Sequence, residues 1–160
     1  MAEFRIGQGF DIHRTDPSRK LFIGGVEIKS DFGLIGHSDA DVLLHAVVDA
    51  LLGATGKGDI GKLFPDTDIQ NKDRKSTDFL IEAYRLIKND SWSVVNLDCT
   101  ILAEAPKILP YASVISESIG SILECSPSLI SIKATTMERL GSIGKGEGIA
   151  AMAVVLLTRE

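Results

Sequence analysis

Asp11 and His13 stand two residues apart in a stretch, Phe4 to His13, that reads as a β-strand. Their side chains therefore leave the same face, and a carboxylate and an imidazole can meet one metal ion. A third candidate, His45, sits in the middle of an apolar helix among Val42, Leu43, Leu44, Ala46, Val47, Val48, Ala50 and Leu51. Such a helix must be largely buried. Its polar members Asp41, His45 and Asp49 fall at i, i+4 and i+8 and form one narrow stripe. A solvated face would carry Lys and Glu, whereas this stripe has only Asp and His. Taken alone, a buried histidine is more often a hydrogen-bonded core residue than a ligand. Beside an Asp-x-His strand, and with two flanking carboxylates able to orient its ring, it reads as a third ligand. Two imidazoles and one carboxylate leave a coordination position for substrate or water, which is the pattern of catalytic rather than structural zinc.

Other segments carry weaker signals. Gly56 to Leu63 has the glycine and lysine spacing of a phosphate-binding loop, but Leu63 occupies the place that must hold Ser or Thr, and the segment follows a helix. Gly7-Gln8-Gly9 begins a dinucleotide fingerprint, yet Ile12 replaces the third glycine and no helix follows. Gly144 to Gly148 reads as a flexible turn with one lysine. Ala105 to Pro110 is a constrained loop, able to present backbone groups to a ligand or equally an ordinary connection. Thr135-Thr136-Met137-Glu138 ends a strand with two hydroxyls and a carboxylate, groups that suit a hard cation such as Mg²⁺ and phosphate oxygens.

Positioning these groups requires a mixed set of elements. Strands are expected at Phe4 to His13, in two short pieces around Gly24-Gly25, at Val94 to Leu102, Leu129 to Thr136 and Ile149 to Leu157. A helix capped by Ser38 runs to Leu52, a second starts at Ser76 or Thr77 and reaches Lys88, and a third opens at Pro110 and ends near Glu124. Gly53 to Lys75 is the one long loop. Strands and helices intermix without strict alternation, so the fold class is α+β, one domain over residues 1–160, with a mixed sheet and helices on one face. The last strand, Ile149 to Leu157, shows no polar alternation, so both faces should be buried. Either it is the central strand of a monomeric sheet or one face packs on a copy of itself.

A chain of 160 residues can bury roughly 70% of its unfolded surface, enough for a sizeable core. The net charge of −5 argues against nucleic acid or an anionic membrane surface as a partner, and at first sight against an anionic substrate. Cys99 and Cys125 have no zinc-knuckle or CxxC spacing and read as buried thiols of a reducing compartment. No leader and no membrane-length apolar run is visible, so a soluble, cytoplasmic protein is expected.

Taken together, the blocks Gly9-Phe10-Asp11-Ile12-His13, His37-Ser38-Asp39-Ala40-Asp41 with His45, Gly58 to Asp66, Ala105-Pro106-Lys107, Lys133-Ala134-Thr135-Thr136 and Gly146 to Ala150 closely resemble the 2-C-methyl-D-erythritol 2,4-cyclodiphosphate synthase family. The resemblance runs from Arg5 to Leu157. It implies a homotrimer with sheets lining its interior and active sites between subunits, converting 4-diphosphocytidyl-2-C-methyl-D-erythritol 2-phosphate to the cyclic diphosphate and CMP in the non-mevalonate isoprenoid pathway. It implies zinc on Asp11, His13 and His45, and Mg²⁺ or Mn²⁺ on Glu138 with the substrate diphosphate. His37 and Thr136 match the residues that stabilise the reacting phosphates, and Ser38 matches a substrate contact. Asp59, Ile60, Gly61, Phe64, Pro65, Asp66, Thr67 and Asp68 match the methylerythritol site. Ala103, Glu104, Ala105, Pro106, Lys107, Ile108 and Leu109 match the cytidine pocket. The implied substrate contacts also take in Ile12, Thr135, Met137, Ser142 and Lys145.

The chain departs from some members in the trimer cavity. They carry an arginine, a glutamate and an aromatic residue where this chain has Lys145, Met152 and Ser142, and there the cavity resembles a site for isoprenoid diphosphates. Lys145 keeps the charge but lacks the bidentate fork. Some relatives are fused to the preceding cytidylyltransferase, for which 160 residues leave no room. Two other readings fit the spacing: a zinc phosphohydrolase using a bound water, and a trimeric scaffold with structural zinc.

Overall fold

A computed structural model describes residues 1–65, 67, 69–71 and 74–160. Strand β1 (Glu3–Asp16) pairs antiparallel along nearly its whole length with β7 (Gly148–Arg159), from Glu3 opposite Arg159 to Arg14 opposite Gly148. On the far side of β7 lies β5 (Ser93–Leu102), antiparallel to it, and β6 (Ile130–Thr135) runs parallel to β5. A two-residue β4 (Gly33–Leu34) closes the other edge, giving the order β4-β1-β7-β5-β6. β2 (Leu21–Ile23) and β3 (Val26–Ile28) form a separate hairpin around Gly24 and Gly25. A parallel pair needs a crossover, and α4 (Ala112–Ile122) supplies it between β5 and β6. The expected α+β class with a mixed sheet is what forms.

The helices cover one face. α1 (Val42–Ala54) lies across β1 and β7, α4 packs on β6, and α3 (Ser76–Asn89) packs against α1 and α4. Asp41, not Ser38, caps α1: its carboxylate accepts the Leu44 N–H at 3.0 Å, while Ser38 lies three residues upstream in the preceding turn. Ser76 is already helical, and Lys75 before it offers no side-chain cap. The Ser76 N–H is instead accepted by both oxygens of Asp39, 3.2 Å away, from the loop before α1. Pro110 falls in a 3₁₀ turn, Leu109–Tyr111, ahead of α4. The long loop holds a short α2 (Ile60–Leu63) and a 3₁₀ turn, Ile69–Asn71, and the glycine-rich stretch holds a short α5 (Gly141–Gly144).

On the helix side of β7, Ile149, Ala151, Ala153, Val155 and Leu157 are fully buried. The opposite face differs from the expectation within one chain. Ala150 is buried, but Val154 and Leu156 are half-buried and Met152 is 40% exposed. Neighbouring Phe4, Ile6, Phe10 and Ile12 of β1 share that open face. Among the described residues no helix is long and apolar enough to cross a membrane.

The contact that matters most for the site is that of α1 with β1. A methyl group at Gly7 or Gly9 would fall far inside contact distance of the carbonyl oxygens of Ala50 and Ala46. The Gly-x-Gly pair is thus a saddle for the Ala46, Ala50 and Ala54 edge of the helix, not half of a nucleotide fingerprint. Gly9→Ala is expected to cost about 1–3 kcal/mol of stability through overpacking. Urea unfolding reads this as a lowered midpoint, and an unchanged midpoint would mean that the close approach is not required.

Candidate active site

Gly7, Gly9, Asp11 and His13 follow one another on the face of β1 that meets α1, so the glycine saddle continues directly into the two candidate ligands. His45, in the second turn of α1, reaches them. The Asp11 Oδ2 atom lies 2.9 Å from His13 Nε2 and 3.0 Å from His45 Nδ1, and the two ring nitrogens are 3.1 Å apart. These residues form the metal-competent cluster found among the described His, Cys, Asp and Glu side chains. Ligand atoms around a tetrahedral zinc at about 2.0–2.1 Å stand roughly 3.3 Å from one another, close to the spacing of this triangle.

The protonation pattern suits a cation. His13 Nδ1 is 2.7 Å from the Ile35 carbonyl, which can only accept, so Nδ1 carries a proton, and Nε2, 2.9 Å from Asp11 Oδ2, is the nitrogen that a cation would take. Burial by itself would raise the Asp11 carboxyl, but the imidazoles of His13 and His45 outweigh it and hold the group well below the usual carboxylate range. For His13, burial acts to lower the pKa, and the hydrogen bond and charge of Asp11 overcome it, leaving the ring more basic than an ordinary histidine. Side-chain exposures of 26%, 18% and 12% for Asp11, His13 and His45 leave the triangle open on one side.

The two carboxylates expected to orient His45 do other work. Asp41 accepts the N–H of Leu44, a donor that the start of a helix leaves unpaired, and also those of Gly24 at 2.9 Å and Gly25 at 2.6 Å in the β2–β3 turn. Asp49 accepts the Ile60 N–H at 2.7 Å and so ties α2 to α1. Burial pushes the carboxyls of both upward. The second ring nitrogen of His45 faces hydroxyls instead, Ser76 Oγ at 2.9 Å and Ser38 Oγ at 3.3 Å.

The triangle opens into a hollow of about 220 Å³ lined also by Gly36, His37, Ser38, Ile60, Gly61, Phe64, Asn71 and Phe79. Phe64 and Phe79 pack with ring centroids 4.6 Å apart and planes tilted by 33°, with the Arg74 guanidinium 4.9 Å from the Phe79 ring, and build one wall. Asp59 sits beside the hollow, spending one oxygen on the Lys62 N–H at 2.8 Å as the cap of α2. That capped turn, not a phosphate loop, is what the glycine and lysine spacing encodes. Pro65 and Thr67 are exposed and do not line the hollow. Asp66 and Asp68 lie outside the described residues. Asn71 and Phe79 carried no sequence signal for a site, since Phe79 falls on the apolar period of its helix like any core residue.

A second hollow, about 630 Å³, is lined by Ala103, Glu104, Pro106, Lys107, Ile108, Leu109, Pro110, Ala134, Thr135 and Thr136. The Ala105–Pro106 peptide is cis, and Ala105 itself is exposed outside the lining. Glu104 accepts the N–H groups of Met137 at 2.8 Å and Arg139 at 3.2 Å, holding a turn whose Glu138 and Arg139 have φ of 52° and 63°. Glu138 is exposed and accepts from the Thr136 hydroxyl at 3.3 Å. Ile12 and Ser142 line a shallow hollow with His13, while Lys145 is exposed after α5. Within one chain the hollow at the Asp11–His13–His45 triangle and this second hollow share no lining residue.

Residues 4–158 match the model of the YgbB family. The chain belongs to the YgbB family. It is similar to 2-C-methyl-D-erythritol 2,4-cyclodiphosphate synthases, with 54% identity to that of Geobacillus kaustophilus and 52% to that of Bacillus subtilis, each alignment covering 98% of this chain and 99% of the relative. Among solved structures it is similar to the CDP complex of IspF from Plasmodium falciparum, with a TM-score of 0.86 and 38% identity over 98% of this chain and 97% of that one. It is also similar to part of the bifunctional IspDF from Campylobacter jejuni, with a TM-score of 0.96 and 39% identity; all of this chain matches, spanning 43% of that protein.

For this YgbB chain the cysteines add nothing to the site. Burial pushes the Cys99 thiol up to about 12, so it stays protonated. The three-atom triangle is the metal candidate, and His45 is the member that comes from a different element. His45→Ala is expected to lose retained zinc after dialysis while the far-ultraviolet circular dichroism is unchanged. Full zinc occupancy by elemental analysis in that variant would remove His45 from the coordination sphere.

Proposed function

We infer that the chain closes the ring of 4-diphosphocytidyl-2-C-methyl-D-erythritol 2-phosphate, giving 2-C-methyl-D-erythritol 2,4-cyclodiphosphate and CMP in the non-mevalonate isoprenoid pathway. The observation that carries this reading is the Asp11–His13–His45 triangle opening into a hollow, in a chain that matches the named synthases over almost its whole length. The oxygen of the substrate's 2-phosphate forms a bond to the β-phosphorus, and the bond from that phosphorus to the CMP oxygen breaks. The leaving CMP takes the electron pair. No protein nucleophile is needed, and the Ser38, His45 and Asp11 side chains that meet in the hollow are read as metal ligands and their support.

The task for the protein is to bring two like-charged phosphates together in line. Asp11, His13 and His45 would hold zinc, and Glu138 with Thr136 would hold Mg²⁺ or Mn²⁺ on the diphosphate. Bound there, these cations withdraw charge from the phosphates and so stabilise the transition state. His37 and Thr136 direct donors at the reacting phosphates. Ser38 and Ile12 flank them, and Asp59, Ile60, Gly61 and Phe64, with Pro65 to Asp68, receive the methylerythritol. Ala103 to Leu109 and Thr135 to Met137 take the cytidine and its phosphates, with Lys107 adding positive charge at the rim; the CDP bound in the Plasmodium falciparum relative supports this nucleotide. Ser142 and Lys145 would contact ligand at the trimer cavity.

One chain does not bring the metal hollow and the cytidine hollow together, and this supports a homotrimer in which residues 1–160 act as one domain and each site spans two subunits. The apolar face of β1, with Phe4 59%, Ile6 71% and Phe10 50% exposed, supports the same assembly, since exposed stripes of that size normally find a partner. Two unpaired cysteines suit a cytoplasmic setting.

Incubation of the cytidyl substrate with the protein, Zn²⁺ and Mg²⁺ is expected to yield the cyclic diphosphate in the ³¹P spectrum, and a linear phosphate product would favour a hydrolase instead. His37→Ala should lower kcat roughly 100-fold or more, the usual loss for one donor to a developing anion. Ile6→Asp should convert a trimer to monomers in sedimentation velocity and abolish turnover; a monomeric parent would overturn the assembly.

A further inference from the structure

We propose that Asp39 and Ser76 form a relay that fixes the tautomer of His45 and so prepares its Nδ1 for the metal. This rests on the reading of Asp11, His13 and His45 as metal ligands. Ser76 is fully buried in the first turn of α3, and its hydroxyl touches three groups: the Asp39 carboxylate, Ser38 Oγ at 3.2 Å, and His45 Nε2 at 2.9 Å.

Counting donors places the protons once a cation takes the inner nitrogen of His45. The carboxylate of Asp39 can only accept, so the single hydroxyl proton of Ser76 goes to Asp39. Ser76 Oγ is then left with lone pairs, and both remaining neighbours must donate to it. Ser38, whose oxygen already accepts the Ala40 N–H at 3.1 Å, gives its own proton to Ser76. His45 gives the proton on Nε2. A neutral imidazole has one N–H, so Nδ1 is the nitrogen left for a cation held between it and Asp11 Oδ2, 3.0 Å away. With the opposite tautomer, the Nε2 lone pair would face Ser76 Oγ at 2.9 Å, whose proton the carboxylate already holds, and only Ser38 Oγ at the longer 3.3 Å could donate to it.

The arrangement parallels that of His13, whose Nδ1 is held by the Ile35 carbonyl. Both rings therefore have their outer nitrogen tied to protein and their inner nitrogen turned toward Asp11. Such outer partners typically change metal affinity by 10–100-fold when removed. A role confined to starting α3 is separable, because the helix-start contact uses the Ser76 backbone N–H and survives loss of the hydroxyl.

The test is zinc affinity, measured by competition with a chromophoric chelator, together with the absorption bands of the cobalt-substituted protein. Ser76→Ala is expected to weaken zinc binding 10–100-fold and shift the cobalt bands, with the thermal unfolding of the metal-free protein close to that of the parent. Asp39→Asn, which keeps an acceptor for the backbone N–H, should weaken zinc by a smaller factor and covers the case in which Ser76→Ala does not fold. Ser38→Ala should leave zinc affinity within about threefold, because Ser76 still accepts from His45. Parent-like zinc affinity in both Ser76→Ala and Asp39→Asn, or an equal loss in Ser38→Ala and Ser76→Ala, would overturn the relay. A parent protein that binds no zinc would instead sink the metal reading on which the relay rests.

Discussion

The close approach of α1 to β1 is the constraint from which the site follows. Two glycines remove the side chains that would hold the helix away, and the alanine edge of α1 settles onto bare strand backbone. The strand's period of two then carries that same face on to Asp11 and His13, while the helix period places His45 beside them. A larger residue at Gly9 would lift the helix and pull one imidazole from the other two ligands. Packing and metal geometry are therefore one specification, written in the alternation of Gly7, Gly9, Asp11 and His13.

Around that contact the polar groups divide their labour sharply. Asp41 is completely buried and serves three backbone N–H groups, pinning the β2–β3 hairpin to the start of α1. Asp49 anchors α2, which brings Ile60 and Gly61 to the rim of the hollow. Asp39 joins α3 to the loop before α1. Three carboxylates thus tie loops to helices, and only Asp11 aims at the ligand position. A net charge of −5 is compatible with an anionic substrate for this reason: Asp39, Asp41 and Asp49, the carboxylates around the site, are engaged by backbone N–H groups, and a bound cation would supply positive charge where the phosphates meet.

The sheet has two different faces with two different fates. Its helix side is closed by α1, α3 and α4 within the chain. Its other side leaves Phe4, Ile6, Phe10 and Ile12 open beside Met152, a surface that one chain cannot cover by itself. The separation of the triangle's hollow from the one beside Pro106 points the same way, since a diphosphate linking a cytidine to a methylerythritol must reach both.

Much of this was legible in the residues. The Asp-x-His spacing and a histidine in an apolar helix named the three residues that the fold brings together in a metal-competent triangle, because strand and helix periods fix which side chains share a face, and most elements formed close to where periodicity put them. The sequence could not tell where hydrogen-bond donors would find their acceptors. Asp41 and Asp49 share the His45 stripe yet turn to backbone N–H groups, while Ser76 and Asp39, 31 and 6 residues from His45 in sequence, meet at its ring. Nor could it say that the final apolar strand is enclosed on one side and open on the other. Periodicity is a local property, so the chain alone determined which residues could line up along an element; partners across elements depend on how helices and loops pack, and only the tertiary structure decided that Ser76, rather than a flanking carboxylate, would hold the second nitrogen of His45.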